Sequence, residues 1–146
     1  MKYWFFVIAA CIVGGLAPVQ GSLNAQMGRL LGHPLKGTLM NFAVGGMVLC
    51  TILAASVGFP SREDLGKAPW YLYSAGFIGV LFVTTLLALI PKIGALKVLA
   101  AIVVGQLLVS AVIDHFGLLH VPVVALGPNR IAGMLLLMAG LYLIQR

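Results

Sequence analysis

Acidic side chains are nearly missing from this sequence: Asp and Glu together number 3 among 146 residues, against 9 Lys and Arg. Charged residues of either sign make up 8% of the chain, where a soluble domain carries roughly a quarter. So few charges cannot cover a water-facing surface, which excludes an ordinary soluble domain. Cysteine is scarce as well. Cys11 and Cys50 lie in separate apolar runs with no paired spacing, so both read as small buried hydrophobes, not as a disulfide framework or metal site. No Asp or Glu stands in the middle of an apolar run, which leaves no buried carboxylate to carry protons. His33, His115 and His120 sit in connectors or at the ends of runs, and no His/Cys/Asp/Glu group has metal-ligand spacing. Neither a phosphate-cradling glycine loop nor a nucleophile motif occurs. These absences argue against an enzyme, a metal site and a cofactor.

What is present is hydrocarbon. Apolar residues form 62% of the chain, and its mean hydropathy is +1.12. They gather into runs near the 20 or so residues that a helix needs to cross a core about 30 Å thick. The expectation is one all-α transmembrane domain over residues 1–146, with five spans at about 3–27, 35–58, 69–90, 95–116 and 129–145. Gly32 and Pro34 punctuate a turn at Leu30–Pro34. Pro60 to Lys67 is the one polar connector and holds two of the three acids. Pro69 suits a first helical turn, and Trp70, Tyr71 and Tyr73 form an interfacial aromatic belt. Pro91-Lys92-Ile93-Gly94 predicts a tight connector, and Gly117 a C-cap. Residues 118–127, broken by Pro122, are too short to cross and are expected to lie in the interface. The fifth span is marginal in length, with Pro128 and Gln145 marking its limits. Met1-Lys2 and the run from Tyr3 resemble a secretory signal. That run continues to Val19 and further spans follow it, so it reads as a retained first helix.

The net charge of +6 does not indicate nucleic acid, because the basic residues are scattered at the ends of apolar runs, where they can reach lipid headgroups. With five spans, Lys2, Arg62, Lys67 and Arg130 share one side, and Arg29, Lys36, Lys92, Lys97 and Arg146 the other. Four against five gives the positive-inside rule almost no asymmetry to act on. Either a partner fixes the orientation, or the chain inserts both ways and pairs with an inverted copy. Many transporters are built from such inverted halves.

Polar residues inside spans must find a partner or a water-filled cavity. Gln20 and Asn24 are four apart on the first span, as are Ser22 and Gln26, so each pair shares a helix face. The second span offers Thr38 and Asn41. In the fourth, Gln106, Ser110 and Asp114 recur every four residues as one stripe. Each could be interhelical glue; as a set drawn from three helices they suit a polar cavity. Asp114, at the unfavourable end of a helix dipole, requires a cation, and His115 and Arg130 are nearest in sequence. The group is either a pinned ion pair or a titrating site. Lys97, near a helix start, is expected to snorkel to the interface. Gly133 and Gly140 are seven apart on the fifth span beside Ala132 and Ala139, a small face suited to close helix approach between copies or within one.

These residues resemble a known family. Gly21-Ser22-Leu23-Asn24-Ala25-Gln26-Met27-Gly28-Arg29 with Gly32-His33-Pro34 is similar to the first-span signature of the YdcZ family, small inner-membrane proteins of the drug/metabolite transporter superfamily. Asn41-Phe42 with Gly45, Pro91-Lys92-Ile93-Gly94-Ala95, Gly105-Gln106-Leu107, Asp114-His115-Phe116-Gly117, and Arg130 with Gly133 resemble its later blocks. The resemblance covers nearly the whole chain and implies a multi-pass exporter of the bacterial inner membrane, folded as an EamA-like half-transporter bundle. The fifth span also resembles the dimerising helix of small multidrug resistance proteins, which implies antiparallel pairing around a central cavity and favours Gly133 and Gly140 as a dimer contact. Those proteins carry a membrane-embedded glutamate in their first span. Here that span has only Gln20, Ser22, Asn24 and Gln26, so their proton-for-cation exchange does not carry over.

The expectation that follows is a small transporter subunit working by alternating access as a dimer in the bilayer. Its partner is an inverted copy or a paired homologous subunit. Gln20, Asn24, Asn41, Gln106 and Ser110 would line the pathway of an unknown small molecule. The alternative is a non-transporting membrane subunit or assembly partner whose polar residues only glue helices together.

Overall fold

A computed structural model describes residues 2–146, with side chains from Trp4 onward. Seven α-helices follow in order: α1 (Lys2–Gly14), α2 (Leu16–Leu30), α3 (Pro34–Ala55), α4 (Arg62–Lys67), α5 (Ser74–Ile93), α6 (Ala95–Phe116) and α7 (Pro128–Gln145). No strand occurs among the described residues. Four stretches are long and apolar enough to cross a membrane: Trp4–Leu30, Pro34–Ala55, Trp70–Ile93 and Ala95–Phe116. The chain is thus an all-α membrane protein. It divides into two compact units, one ending at Lys92 and the other spanning Ile93–Arg146.

The interruption between α1 and α2 falls at Gly15, whose backbone stays near helical values (φ −63°, ψ −17°). Pro18 explains the position. It cannot donate to the carbonyl of Gly14 four residues back, and its ring crowds that carbonyl. Gly15 still donates to Cys11 O at 3.0 Å, so the first span bends locally and does not end. The next turn matches expectation: Gly32 adopts φ +77°, and Pro34 opens α3, where a missing N–H costs nothing. His33 Nδ1 accepts from the Leu35 N–H at 3.2 Å as the N-cap.

Three boundaries depart from the sequence reading. α3 stops at Ala55 and not at Gly58, and Gly58 (φ +78°) returns its N–H to Leu53 O at 2.7 Å to close the end. The polar connector is partly helical, because Ser61 and Asp64 form a reciprocal capping box that starts α4. The expected Pro91–Gly94 connector shrinks to Gly94 alone (φ +85°). Pro91 lies in the last turn of α5, so the helix ends two residues after it. By contrast α6 begins at Ala95 and ends at Phe116, with Gly117 in the left-handed region (φ +61°) as its C-cap. A 3-10 turn at Trp70–Tyr73 leads into α5, and another, Leu118–His120, follows Gly117.

In the first unit, α2, α3 and α5 meet along small residues. Gly21, Ala25 and Gly28 of α2 are all buried. α3 crosses α2 with Gly37 against Gly28, so closely that a Cβ on Gly37 would lie 2.8 Å from both N and Cα of Gly28. Leu86 and Leu87 of α5 cover this stripe, and Leu87 is 2% exposed. Such packing suits lipid, where apolar burial gives no net drive and close backbone approach supplies the attraction. Most large apolar side chains accordingly stay at the surface.

The second unit is an antiparallel pair of helices pinned at both ends. Lys97, in the first turn of α6, donates to Gln145 O at the end of α7 (2.9 Å), and Gln145 Nε2 donates back to Lys97 O at 3.1 Å. At the other end Arg130 of α7 meets Asp114 of α6 at 3.5 Å. Lys97, Asp114 and Arg130 each sit at the wrong end of their own helix dipole. The antiparallel pairing gives each the opposite charge or pole of its neighbour. Lys97 therefore caps α7, where simple snorkelling was expected.

Candidate functional site

The first polar site forms where the middle of α2 faces α3. Gln20 and Asn24, one turn apart, point to the same side, and Asn41 answers from α3. Asn24 Nδ2 donates to Asn41 Oδ1 at 2.9 Å, and Gln20 Nε2 to the same oxygen at 3.3 Å. One carbonyl thus takes two donors. The Asn41 amide nitrogen, Gln20 Oε1 and Asn24 Oδ1 make no hydrogen bond to any described residue. These spare groups are not sealed in, since Asn24 and Asn41 are half-buried and Gln20 is exposed. A neutral NH2 group and two carbonyl acceptors are therefore open to a solute. Ser22 and Gln26, on another face of α2, are exposed and unbonded to described residues. Thr38 takes a different part: it is 2% exposed, donates to Pro34 O at 3.2 Å and shares a hydrogen bond with Thr84 at 2.9 Å. It ties α3 to α5. Thr84 escapes the sequence reading because no second polar residue marks its face.

Gln106 and Ser110 belong to the second unit, where their expected common stripe separates. Ser110 and Asp114 line a cleft of about 310 Å³ between α6 and α7, with Arg130, Gly133 and Met134 opposite. Gln106 is exposed and bonds to no described residue. Asp114 takes Arg130 as its cation, one of the two partners expected. The other, His115, has a different task. Its Nδ1 accepts from the Leu126 N–H at 3.2 Å, while Val124 N–H bonds to Asp114 O at 2.9 Å. The apolar segment after α6 is thereby folded back on the end of that helix. Arg130 also donates to Val124 O at 3.4 Å. The Asp114–Arg130 pair is roughly half-exposed, which places it at the cleft margin and not in a dry core. Gly133 faces this cleft, and a Cβ on either Gly133 or Gly140 would meet nothing within 4 Å.

Among the described residues no group of three His, Cys, Asp or Glu could hold a metal ion. The chemistry available is reversible hydrogen bonding by neutral amides plus one ion pair at a cleft mouth. A family model described as "Putative inner membrane exporter, YdcZ" matches residues 5–143. The chain belongs to the YdcZ family. It is 32% identical to the inner membrane protein YdcZ of Escherichia coli (strain K12) over 143 residues, covering 97% of this chain and 93% of that protein. No solved structure matches the chain. YdcZ membership places these helices in the inner membrane and supports a transporter-like role.

Proposed function

We propose that this protein is a subunit of an exporter that moves a small polar or zwitterionic molecule by alternating access. The observation that carries the reading is the convergence of Gln20 and Asn24 on Asn41 Oδ1, which leaves the whole Asn41 NH2 group and two carbonyl acceptors unused. A neutral lining of this kind holds a solute by hydrogen bonds and offers no fixed negative charge to a bare cation. Ser110, Asp114 and Arg130 provide a second polar station in the cleft of the second unit, and exposed Gln106 remains a further pathway candidate. The working unit is an antiparallel dimer, either with a second copy or with a homologous subunit. α7 supplies its contact, because the small face at Gly133 and Gly140 is open.

One observation also favours the rival reading of a non-transporting subunit: the amides bond to one another across α2 and α3, as interhelical glue does. The two readings part on Asn41→Leu. The parent, purified and screened for thermal stabilisation with alanine, glycine betaine and tetraphenylphosphonium, is expected to respond to a zwitterion, since a ligand bound to the native form raises its stability by mass action. That compound should then exchange across proteoliposomes, and Asn41→Leu should abolish both signals while the purified oligomer keeps its size. Loss of folding in Asn41→Leu, with no zwitterion response in the parent, would favour glue.

A further inference from the structure

The amide site leaves unused a second cavity in the first unit, at the end of the bundle where α2 turns into α3 and α5 finishes. It holds about 270 Å³ and is walled on the apolar side by Ala25, Leu87, Ala88 and Pro91. Its polar wall is basic: Arg29, His33 and Lys92 all line it, and no acidic residue does. His33 Nδ1 is already committed as an acceptor from Leu35 N–H, so its Nε2 is left to donate. Arg29 brings a fork of N–H donors and Lys92 a point charge.

Neither cation has a counter-charge. The chain has three carboxylates, and each is engaged elsewhere: Glu63 with Lys67, Asp64 with Ser61, and Asp114 with Arg130. Arg29 and Lys92 make no ion pair or hydrogen bond to a described residue. Two unpaired cations and the His33 donor line one small cavity, so a single anion bound there would be met by all three. The room suits a phosphate with its ester substituents, and the small Gly28 and Gly32 in the wall keep side chains out of it.

We infer that Arg29, His33 and Lys92 form a binding site for a phosphate group, whose natural source at a span end is the headgroup of an anionic phospholipid. Basic pockets between transmembrane helices recognise such headgroups by the same chemistry. The site is separate from the proposed solute site, and its test does not depend on transport.

The experiment follows thermal unfolding of the full chain in micelles of an uncharged detergent. One arm adds phosphatidylglycerol against phosphatidylcholine; the other adds sodium phosphate against sodium chloride at equal ionic strength. Phosphatidylglycerol should give a saturable stabilisation that phosphatidylcholine does not. Inorganic phosphate should reproduce it if the phosphate alone is recognised, and should fail to if the lipid ester is required. Arg29→Gln or Lys92→Gln should each raise the half-saturating concentration about tenfold, as loss of one charged hydrogen bond implies. Lys36→Gln, at the same end but outside the cavity, should leave it unchanged. Either cavity variant suffices if the other misfolds. The absence of any selective response in the parent would overturn the site, as would an equal loss in Lys36→Gln.

Discussion

The least forgiving position for a side chain is Gly37, whose missing Cβ lets two helices touch backbone to backbone. An alanine there would place its Cβ 2.7 Å from Leu87 Cδ2 and 2.8 Å from N and Cα of Gly28. Leu87 can rotate away, but the Gly28 backbone cannot, so α2 and α3 must part. Gly21 differs, because its Cβ would meet only side-chain ends: Leu86 Cδ2 at 2.6 Å and Ile90 Cδ1 at 3.0 Å. At Gly133 nothing lies within 4 Å. Overpacking a filled site costs about 1–3 kcal/mol, whereas alanine in an open helix position gains up to about 1 kcal/mol over glycine. Unfolding in mixed micelles should therefore rank Gly37→Ala as the most destabilising, then Gly21→Ala, with Gly133→Ala neutral or stabilising in the isolated subunit. A loss at Gly133 that appears only in the oligomer would place it between copies. The sequence displays Gly21, Ala25 and Gly28 at spacings of four and three, but it does not say which small face meets which neighbour. Gly133 and Gly140 stand out as much in the sequence, yet the tight crossing lies on α2.

At the scale of elements, the short helix α4 is set by its cap and should respond to acid. The Ser61 hydroxyl, and after it the Ser61 backbone N–H, hold the Asp64 carboxylate below the usual carboxylate range. A carboxyl whose pKa is lower in the folded form adds stability above its unfolded pKa, and loses it as pH falls through the folded value. α4 should thus stay capped at neutral pH and loosen only in acid below the ordinary carboxylate range. Amide exchange at Leu65–Lys67, corrected for intrinsic rates, checks this: Asp64→Asn should remove the pH dependence, and Ser61→Ala should speed exchange roughly five-fold at neutral pH. The pair that joins α6 to α7 is a weaker fastening. Asp114 and Arg130 are half-exposed at 3.5 Å, and pairs so open contribute about 0.2–1 kcal/mol. Asp114→Asn should therefore shift stability by no more than about 1 kcal/mol. If it abolishes flux with the fold intact, Asp114 acts in transport and not as a pin. That Asp114 needs a cation is legible in the sequence, because it stands at the negative end of a helix dipole; the choice of Arg130 over His115 is not. Nor is the role of His115. It depends on the irregular return of residues 121–127, where no periodicity guides the eye. Pro34 and Gly117 mark helix ends that the sequence shows directly. The capping box was written plainly in Ser61-Arg62-Glu63-Asp64, yet it starts a helix of only six residues inside a polar stretch that resembles a loop.

For the whole molecule, the charge count that bears on orientation turns on α7. The apolar stretch of α7, residues 131–144, rises only about 21 Å at 1.5 Å per residue, against a core of about 30 Å. A short span is accommodated by thinning the bilayer or by snorkelling of flanking residues, and Arg130 and Arg146 stand ready to do so. If α7 crosses, Lys2, Arg62, Lys67 and Arg130 lie on one side and Arg29, Lys36, Lys92, Lys97 and Arg146 on the other. The bonds that hold Gln145 beside Lys97 favour that crossing, because α6 is long enough to cross and Arg146 then lies on the side of Lys97. The balance is four to five. So even a balance leaves insertion undecided by charge, which admits both a mixed population with the proposed antiparallel pair and an orientation set by a separate partner. Reporters active on opposite sides of the membrane, each fused to the C-terminus, should both give signal, in comparable amounts. Adding two lysines to the connector at Pro60–Lys67 should then drive the population to one orientation and lower transport, because the inverted partner disappears. Signal from one side only in the parent would rule out dual insertion and leave a separate partner to set orientation. Full transport in the one-sided variant would instead rule out the antiparallel pair.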